Sequence, residues 1–239
     1  MGIFSGQTIL VTGASGGIGE AIARALGEQG AIVCLIGRNQ RRLREIAGQM
    51  PAKQAQCYRA DLTIRKDVRS LVKQILADHR KVDALIHCAA IIALDAVATG
   101  SVENFDRQFQ TNVLGPFSLT QLLLPALIAS QGQVVFTNSS AGLTARGGVS
   151  QYAATKHALK AVADSLREEC NSAGVRVCSL FLGATATPMQ AAVRARQGRS
   201  FAPDRLMQPH DVAAFVTALL ALPRSAEVTD VVMRPMLKF

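Results

Sequence analysis

Short apolar runs alternate with amphipathic stretches along nearly the whole of this chain of 239 residues. Thr8–Val11, Ala31–Ile36, Gln56–Arg59, Val82–Cys88, Val134–Thr137, Val175–Leu182 and Glu227–Met233 have the length and β-branched content of buried strands. Helical spacing fills the intervals at Glu20–Gln29, Gln40–Gly48, Ile64–His79, Val102–Ala129 and Gln151–Ala173. Thr63 is a plausible N-cap for the third of these and Gly174 a C-terminal cap for the last. Another helix starts at Pro209-His210-Asp211. Strict alternation of this kind predicts an α/β fold, a doubly wound parallel sheet of about seven strands with helices on both faces. Strands covered on both sides must be apolar throughout, which accounts for a hydrophobic fraction of 49% and a mean hydropathy of +0.21. No linker or repeat interrupts the pattern, so one domain over 1–239 is expected. Met189–Gln208 lacks strong periodicity and reads as a loop, with 184–208 the expected substrate-binding segment.

Composition removes several function classes. The apolar stretches Leu122–Ala129 and Ala213–Leu222 are too short to span a bilayer, and the first residues carry no signal-peptide pattern. Five scattered cysteines (Cys34, Cys57, Cys88, Cys170, Cys178) show no CxxC or metal spacing and read as small buried hydrophobes in a reducing, cytoplasmic setting. The four histidines are isolated, so no metal is expected. The formal charge of +9 comes with arginine clusters at Arg38–Arg44 and Arg194–Arg205. Such clusters are usually solvated faces, and they can also attract an anionic cofactor or substrate. Nucleic acid is a weaker reading, because aromatics make up 5% of the chain and there is no Trp.

The first strand runs into Thr12-Gly13-Ala14-Ser15-Gly16-Gly17-Ile18-Gly19 and then a helix. Glycines let a backbone approach a phosphate, and a helix N-terminus offers free N–H groups. The letters also fit G-x-S-x-G around Ser15, the nucleophile elbow of serine hydrolases. No upstream strand could supply the second oxyanion donor, so that reading ranks low. The second strand ends at Gly37-Arg38-Asn39, with no Asp or Glu between Gly30 and Arg44. A guanidinium there suits a 2′-phosphate, which favours NADP over NAD. Farther on, Asn112 lies in a helical stretch that Pro116 should kink. Tyr152 and Lys156 share a helix face four residues apart, just after a strand ending near Ser139. Such pairs are common by chance. The functional reading is a phenol whose pKa the ammonium pulls towards neutrality, able to act as a general acid or base. The glycine loop, Arg38, Asp61, Ala89, Ser139 and Gly183 all fall at the carboxyl ends of strands, where ligands of open α/β sheets sit.

Together these residues resemble the short-chain dehydrogenase/reductase family in its single-domain, Rossmann-type branch. Thr12-Gly13-x-x-x-Gly17-Ile18-Gly19 looks like the family's cofactor loop, and Tyr152-x-x-x-Lys156 is its most diagnostic element. The resemblance implies a catalytic tetrad of Asn112, Ser139, Tyr152 and Lys156. It implies an NADP(H) site drawn from Gly13, Ser15, Gly17, Ile18, Gly19, Arg38, Asn39, Asp61, Leu62, Ala89, Ala90, Tyr152, Lys156, Gly183, Thr185 and Thr187. In that scheme Tyr152 exchanges a proton with the substrate oxygen and Ser139 hydrogen-bonds it. Lys156 holds the nicotinamide ribose, and Asn112 holds a water linking Lys156 to solvent. Three departures stand out: His87-Cys88-Ala89-Ala90 replaces the family's NNAG turn, Leu182 replaces the proline before Gly183, and Met233-Arg234-Pro235 is similar to the sepiapterin-reductase-like and broad carbonyl reductases.

The implied activity is NADP(H)-dependent transfer of hydride to or from a small-molecule carbonyl or secondary alcohol. A 3-oxoacyl-(carrier protein) reductase and a non-catalytic dinucleotide-sensing module remain alternatives. The arginines of 194–205 could meet a carboxylate or a carrier-protein phosphopantetheine, or face water. The resemblance also implies a homodimer or homotetramer through the 102–129 and 151–173 helices, with neither nucleic acid nor membrane as partner.

Overall fold

The computed structural model describes residues 2–237. Seven strands form one sheet, all parallel, in the order β3-β2-β1-β4-β5-β6-β7. They are β1 Thr8–Thr12, β2 Ile32–Gly37, β3 Ala55–Arg59, β4 Ala84–His87, β5 Gln133–Ser139, β6 Arg176–Leu182 and β7 Asp230–Met233. The helices are α1 Gly17–Glu28, α2 Gln40–Ala47, α3 Arg65–Asp78, α4 Val102–Phe109, α5 Gly115–Ala129, α6 Ser150–Cys170, α7 Pro188–Arg196 and α8 Pro209–Leu220. Strand order reverses between β1 and β4, which opens a crevice at their carboxyl ends.

Side chains of successive strand residues point to opposite faces, so each strand feeds two cores. Ile9, Val11, Val33, Leu35, Ile86 and Val135 pack under α1, α2 and α8. Leu10, Cys34, Ile36, Leu85, Val134 and Phe136 pack under α3, α5 and α6. Every one of these twelve residues is buried, and each contributes about 1.5–3 kcal/mol of transfer free energy for the larger side chains. This two-sided burial is the doubly wound sheet that the strand–helix alternation predicts.

Four local expectations need correction. The stretch expected to be a loop after Gly183 contains the nine-residue helix α7. Pro188 supplies a preset φ at its start, and the Thr187 side chain accepts a bond from Gln190 N at 3.2 Å. Thr63 does not cap α3; its N–H and hydroxyl both donate to Asp61 Oδ1, at 3.0 and 2.8 Å, and Ile64 occupies the N-cap. Pro116 does not itself kink the long helical stretch, since it sits in the first turn of α5, where its ring and preset φ are tolerated. The irregularity lies one step earlier, in a π-helical turn over Gln110–Leu114 that holds Asn112. Finally, Val102–Ala129 taken as one helical run of 28 residues is long and apolar enough to cross a membrane by length and composition, with 44% of its most apolar window buried. Leu119, Leu123 and Leu127 of that run lie in the core, which accounts for much of its apolar character.

β4 ends at His87-Cys88-Ala89-Ala90, and threonines of its neighbours hold that end. Cys88 N and Ala89 N donate to Thr12 Oγ1 at 3.1 and 3.2 Å, and Thr137 Oγ1 donates to the His87 carbonyl at 2.9 Å. Hydroxyls from β1 and β5 thus bridge the strand ends where the family pattern has asparagine. His87 stacks on Phe136 with ring centres 4.9 Å apart and shares a 2.8 Å hydrogen bond with Thr120 Oγ1. Burial lowers its pKa from 6.5 to about 3. Between those values the unfolded chain carries a proton that the folded chain excludes, so stability falls as pH falls. Acidification to about pH 4.5 should therefore cost roughly 3 kcal/mol through this residue alone. Urea unfolding at neutral pH and at pH ~4.5, on wild type and His87→Gln, checks it. An equal acid loss in both proteins would remove His87 as the cause.

Candidate active site

The glycine loop follows β1 because the chain must turn back sharply beneath the next strand end. Gly13 and Gly17 take φ of +66° and +55°, a region that side chains disfavour. A Cβ on Gly19 would lie on the Gly13 carbonyl, at 2.4 Å, so the first turn of α1 closes tightly over the loop. The N-cap of α1 is Gly16, and no side chain caps that helix. A Cβ at Gly16 would meet nothing within 4 Å. The uncapped N–H groups of a 12-residue helix and open space beside them suit a phosphate.

This loop opens into a cavity of about 580 Å³ at the carboxyl ends of the strands. Of the eighteen residues expected at the site, sixteen line it: Gly13, Ser15, Gly17, Ile18, Gly19, Arg38, Asp61, Leu62, Ala89, Ala90, Ser139, Tyr152, Lys156, Gly183, Thr185 and Thr187. Asn39 and Asn112 do not. Asn39 instead caps α2, accepting from Arg42 N at 3.1 Å. Asn112 grips Ile91, donating to its carbonyl and accepting from its N–H at 2.9 Å each, and donates to Thr155 Oγ1 at 3.1 Å. Its amide is therefore a clamp between the β4–α4 loop and α6. Within the first arginine cluster, Arg41 and Arg42 pair with Glu45, and Arg42 also with Glu20. Arg38 alone of that cluster lines the cavity. Asp61 faces it nearby. Burial pushes its carboxyl up, but the two bonds from Thr63 and the charge of Arg38 outweigh that and hold it below the ordinary value.

Tyr152 and Lys156 lie one turn apart on α6 and point into the cavity from beneath Ser139. Lys156 is 2% exposed, and its Nζ donates to the Thr137 carbonyl at 3.0 Å. The ammonium stands 5.7 Å from the Tyr152 ring centre. Burial pulls its pKa down to about 8, against an opposing influence from Cys88. Burial pushes the Tyr152 phenol up to about 12, and the hydrogen bond with Ser139 lowers it only in part. Burial outweighs any pull of Lys156 on the phenol: desolvation dominates both groups. Tyr152 is consequently protonated near neutral pH, the form a proton donor needs. Asn138 fixes the geometry from below, donating to the Lys156 carbonyl at 3.1 Å and accepting from Ser139 N at 2.8 Å.

Several contributors escaped the sequence reading. Thr12 and Thr137 tie the strand ends, Thr155 steadies Asn112, and Asn138 links β5 to α6. For Thr12, Thr137 and Asn138 the signal available was a hydroxyl or amide residue at the last positions of a strand, whereas Thr155, inside α6, gave none. Met189, Gln190 and Val193 line the cavity from α7, within the 184–208 segment expected to meet substrate, although no motif singled them out.

The short chain dehydrogenase family profile matches residues 7–198. The chain belongs to the short-chain dehydrogenase family. A Staphylococcus epidermidis protein called an uncharacterized oxidoreductase is 33% identical over 232 residues, covering 96% of this chain and 97% of its own. Among solved structures, the alcohol dehydrogenase of the archaeon Thermococcus sibiricus, complexed with 5-hydroxy-NADP, has a TM-score of 0.89 at 26% identity and covers 98% of both chains. The 3-ketoacyl-(acyl-carrier-protein) reductase of Brucella melitensis, complexed with NADH, has a TM-score of 0.84 at 25% identity, over 96% of this chain and 97% of that one. The protein is thus an oxidoreductase of the short-chain dehydrogenase family, with the family's Rossmann-type sheet.

Proposed function

We propose that this short-chain dehydrogenase moves hydride between NADP(H) and a carbonyl or secondary alcohol, with Tyr152 as general acid and base. The observation that carries this reading is that one cavity gathers the glycine loop, Arg38, Ser139, Tyr152 and Lys156. The N–H groups at the start of α1 would hold the pyrophosphate, Arg38 the 2′-phosphate, Asp61 and Leu62 the adenine, and Gly183, Thr185 and Thr187 the carboxamide. The nicotinamide supplies or accepts the hydride when bound. Ser139 orients the substrate oxygen by hydrogen bonding, and Tyr152 gives that oxygen a proton. Lys156 orients the ribose and passes a proton back to Tyr152. Pro116 has no N–H, so the Asn112 carbonyl four residues before it lacks its α-helical donor. We assign to that carbonyl, rather than to the clamped amide, the water that joins Lys156 to solvent.

The neighbour bound to NADH makes the cofactor phosphate a point to test rather than assume. Arg38→Asp should reverse the preference, cutting kcat/KM for NADPH by roughly ten- to a hundredfold while sparing NADH. A panel of ketones assayed with both cofactors reads this directly, and an unchanged ratio would remove Arg38 from the phosphate site. NADPH binding with no turnover on any panel member would favour a dinucleotide-sensing module. Reduction confined to carrier-bound 3-oxoacyl groups would favour the activity named for the Brucella neighbour.

The same reading places the substrate against 184–208, within a single domain over 1–239 in the cytoplasm, with neither membrane nor nucleic acid as partner. Val102, Phe105, Leu114, Phe117, Leu122 and Ile128 expose apolar surface along α4, the π turn and α5. Burial of such a patch between copies supports a homodimer or homotetramer, with α6 as the second surface. Sedimentation showing only monomers at micromolar concentration would oppose it.

A further inference from the structure

A second cavity of about 430 Å³ adjoins the first and shares Tyr152 with it. Its walls are apolar, from Leu94 on the β4–α4 loop, Leu143 and Val149 before α6, and Val193 on α7. Its lining is also basic, with Arg146 from the segment before α6 and Arg194 and Arg199 from α7 and the turn after it. A third cavity of about 320 Å³ lies beyond, sharing Arg194 and Arg199 and adding Arg205. No Asp or Glu lines either of these two cavities among the described residues. Asp95, the carboxylate on the same loop as Leu94, is engaged by Arg196 at 3.0 Å. Among the described residues, Arg146 and Arg199 form no ion pair.

A proton donor, then an apolar passage, then the guanidinium groups of Arg146 and Arg199, make an ordered sequence of chemistries. We infer that the substrate of this site carries an anionic group, a carboxylate or a phosphate, separated by an apolar spacer from the carbonyl presented to Tyr152. The inference rests on the reading of Tyr152 as the acid of a carbonyl reductase and specifies what that reductase accepts. The spacer lies along Leu94, Leu143, Val149 and Val193, and the anion reaches the edge held by Arg146 and Arg199. A guanidinium binds either oxyanion through paired N–H donors, and among the described residues no Asp or Glu of the lining repels it. A neutral ketone of the same length would fill the passage without that contact.

Matched probes test it: laevulinate and longer oxo-acids, their methyl esters, and keto-alkyl phosphates of the same spacer length. Each is assayed for kcat/KM with NADPH and for binding to the NADP⁺-loaded protein by calorimetry. The expected result is a preference for acid or phosphate over ester of roughly ten- to a hundredfold. Arg199→Gln and Arg146→Gln should each shrink that ratio, and Arg199→Glu should invert it. A larger effect with the acids assigns the group as a carboxylate, and with the phosphates as a phosphate. Esters reduced as well as acids, with equal binding, would overturn the anionic group and leave the reductase standing. Anions that bind in an Arg199-dependent way but are never reduced, along with inert esters, would overturn the reductase reading and the substrate class built on it. Thermal unfolding of each variant separates loss of fold from loss of contact.

Discussion

Tyr152→Phe should lower NADPH-dependent ketone reduction by about a hundred- to ten-thousandfold while leaving the protein folded and able to bind NADPH. The substitution removes one oxygen and almost no volume from a ring that forms part of the cavity wall. Packing is therefore conserved, and the proton donor is lost. Ser139 cannot replace it, because an aliphatic hydroxyl is a far weaker acid than a phenol. The loss should appear in kcat, with calorimetric affinity for NADPH within a few-fold of wild type. Turnover at the wild-type rate would exclude Tyr152 as the acid.

Gly13→Ala should cost roughly 2–4 kcal/mol of stability and abolish high-affinity binding of the cofactor. Two independent faults combine. The residue sits at φ +66°, and its new Cβ would lie 2.8 Å from Ala89 N and 2.9 Å from Cys88 C. Those are backbone atoms, held in place by their bonds to Thr12 Oγ1, so they cannot turn aside as a side chain would. Gly16→Ala is the contrasting case. Its Cβ enters open space, and the φ of 170° is extended backbone, so stability should change by less than about 0.5 kcal/mol while phosphate binding weakens. Urea unfolding of both variants, with NADPH titrations alongside, distinguishes the two effects. A Gly13→Ala protein as stable as Gly16→Ala would mean that the strand ends are not locked together.

The sheet was legible because both of its causes are local. Runs such as Ala31–Ile36 are apolar at every position, and glycines follow the strands that need tight turns. The π turn at Asn112 was not legible as such. Gly115 and Pro116 signal an interruption, but the extra residue in the turn depends on what the Asn112 amide finds across the chain, on Ile91 and Thr155. Helix α7 was hidden for a related reason. Pro188-Met189-Gln190-Ala191-Ala192-Val193-Arg194-Ala195-Arg196 has helix-forming residues but no core stripe, and none of it is buried, so the apolar period that marks the other helices is missing. In the site, residue types with distinctive chemistry were visible from their convergence on strand ends together with the family resemblance. The pKa values were not, because burial of Tyr152 and Lys156 is a property of the packed elements around them.

Helix α7 also bears on how the two ligands of such a site communicate. Gln190 and Val193, three residues apart on one face of α7, line both the large cavity and the one beside it. The helix is fixed at one end by the Thr187 cap and ends at Arg196, with Gly198 at a φ of +63° just beyond it. Arg196 at its far end touches Asp95 across the opening. The two cavities share this wall, so any shift of α7 that tightens one reshapes the other. Reciprocity then requires that whatever free energy the nucleotide lends to the second ligand is returned in equal measure.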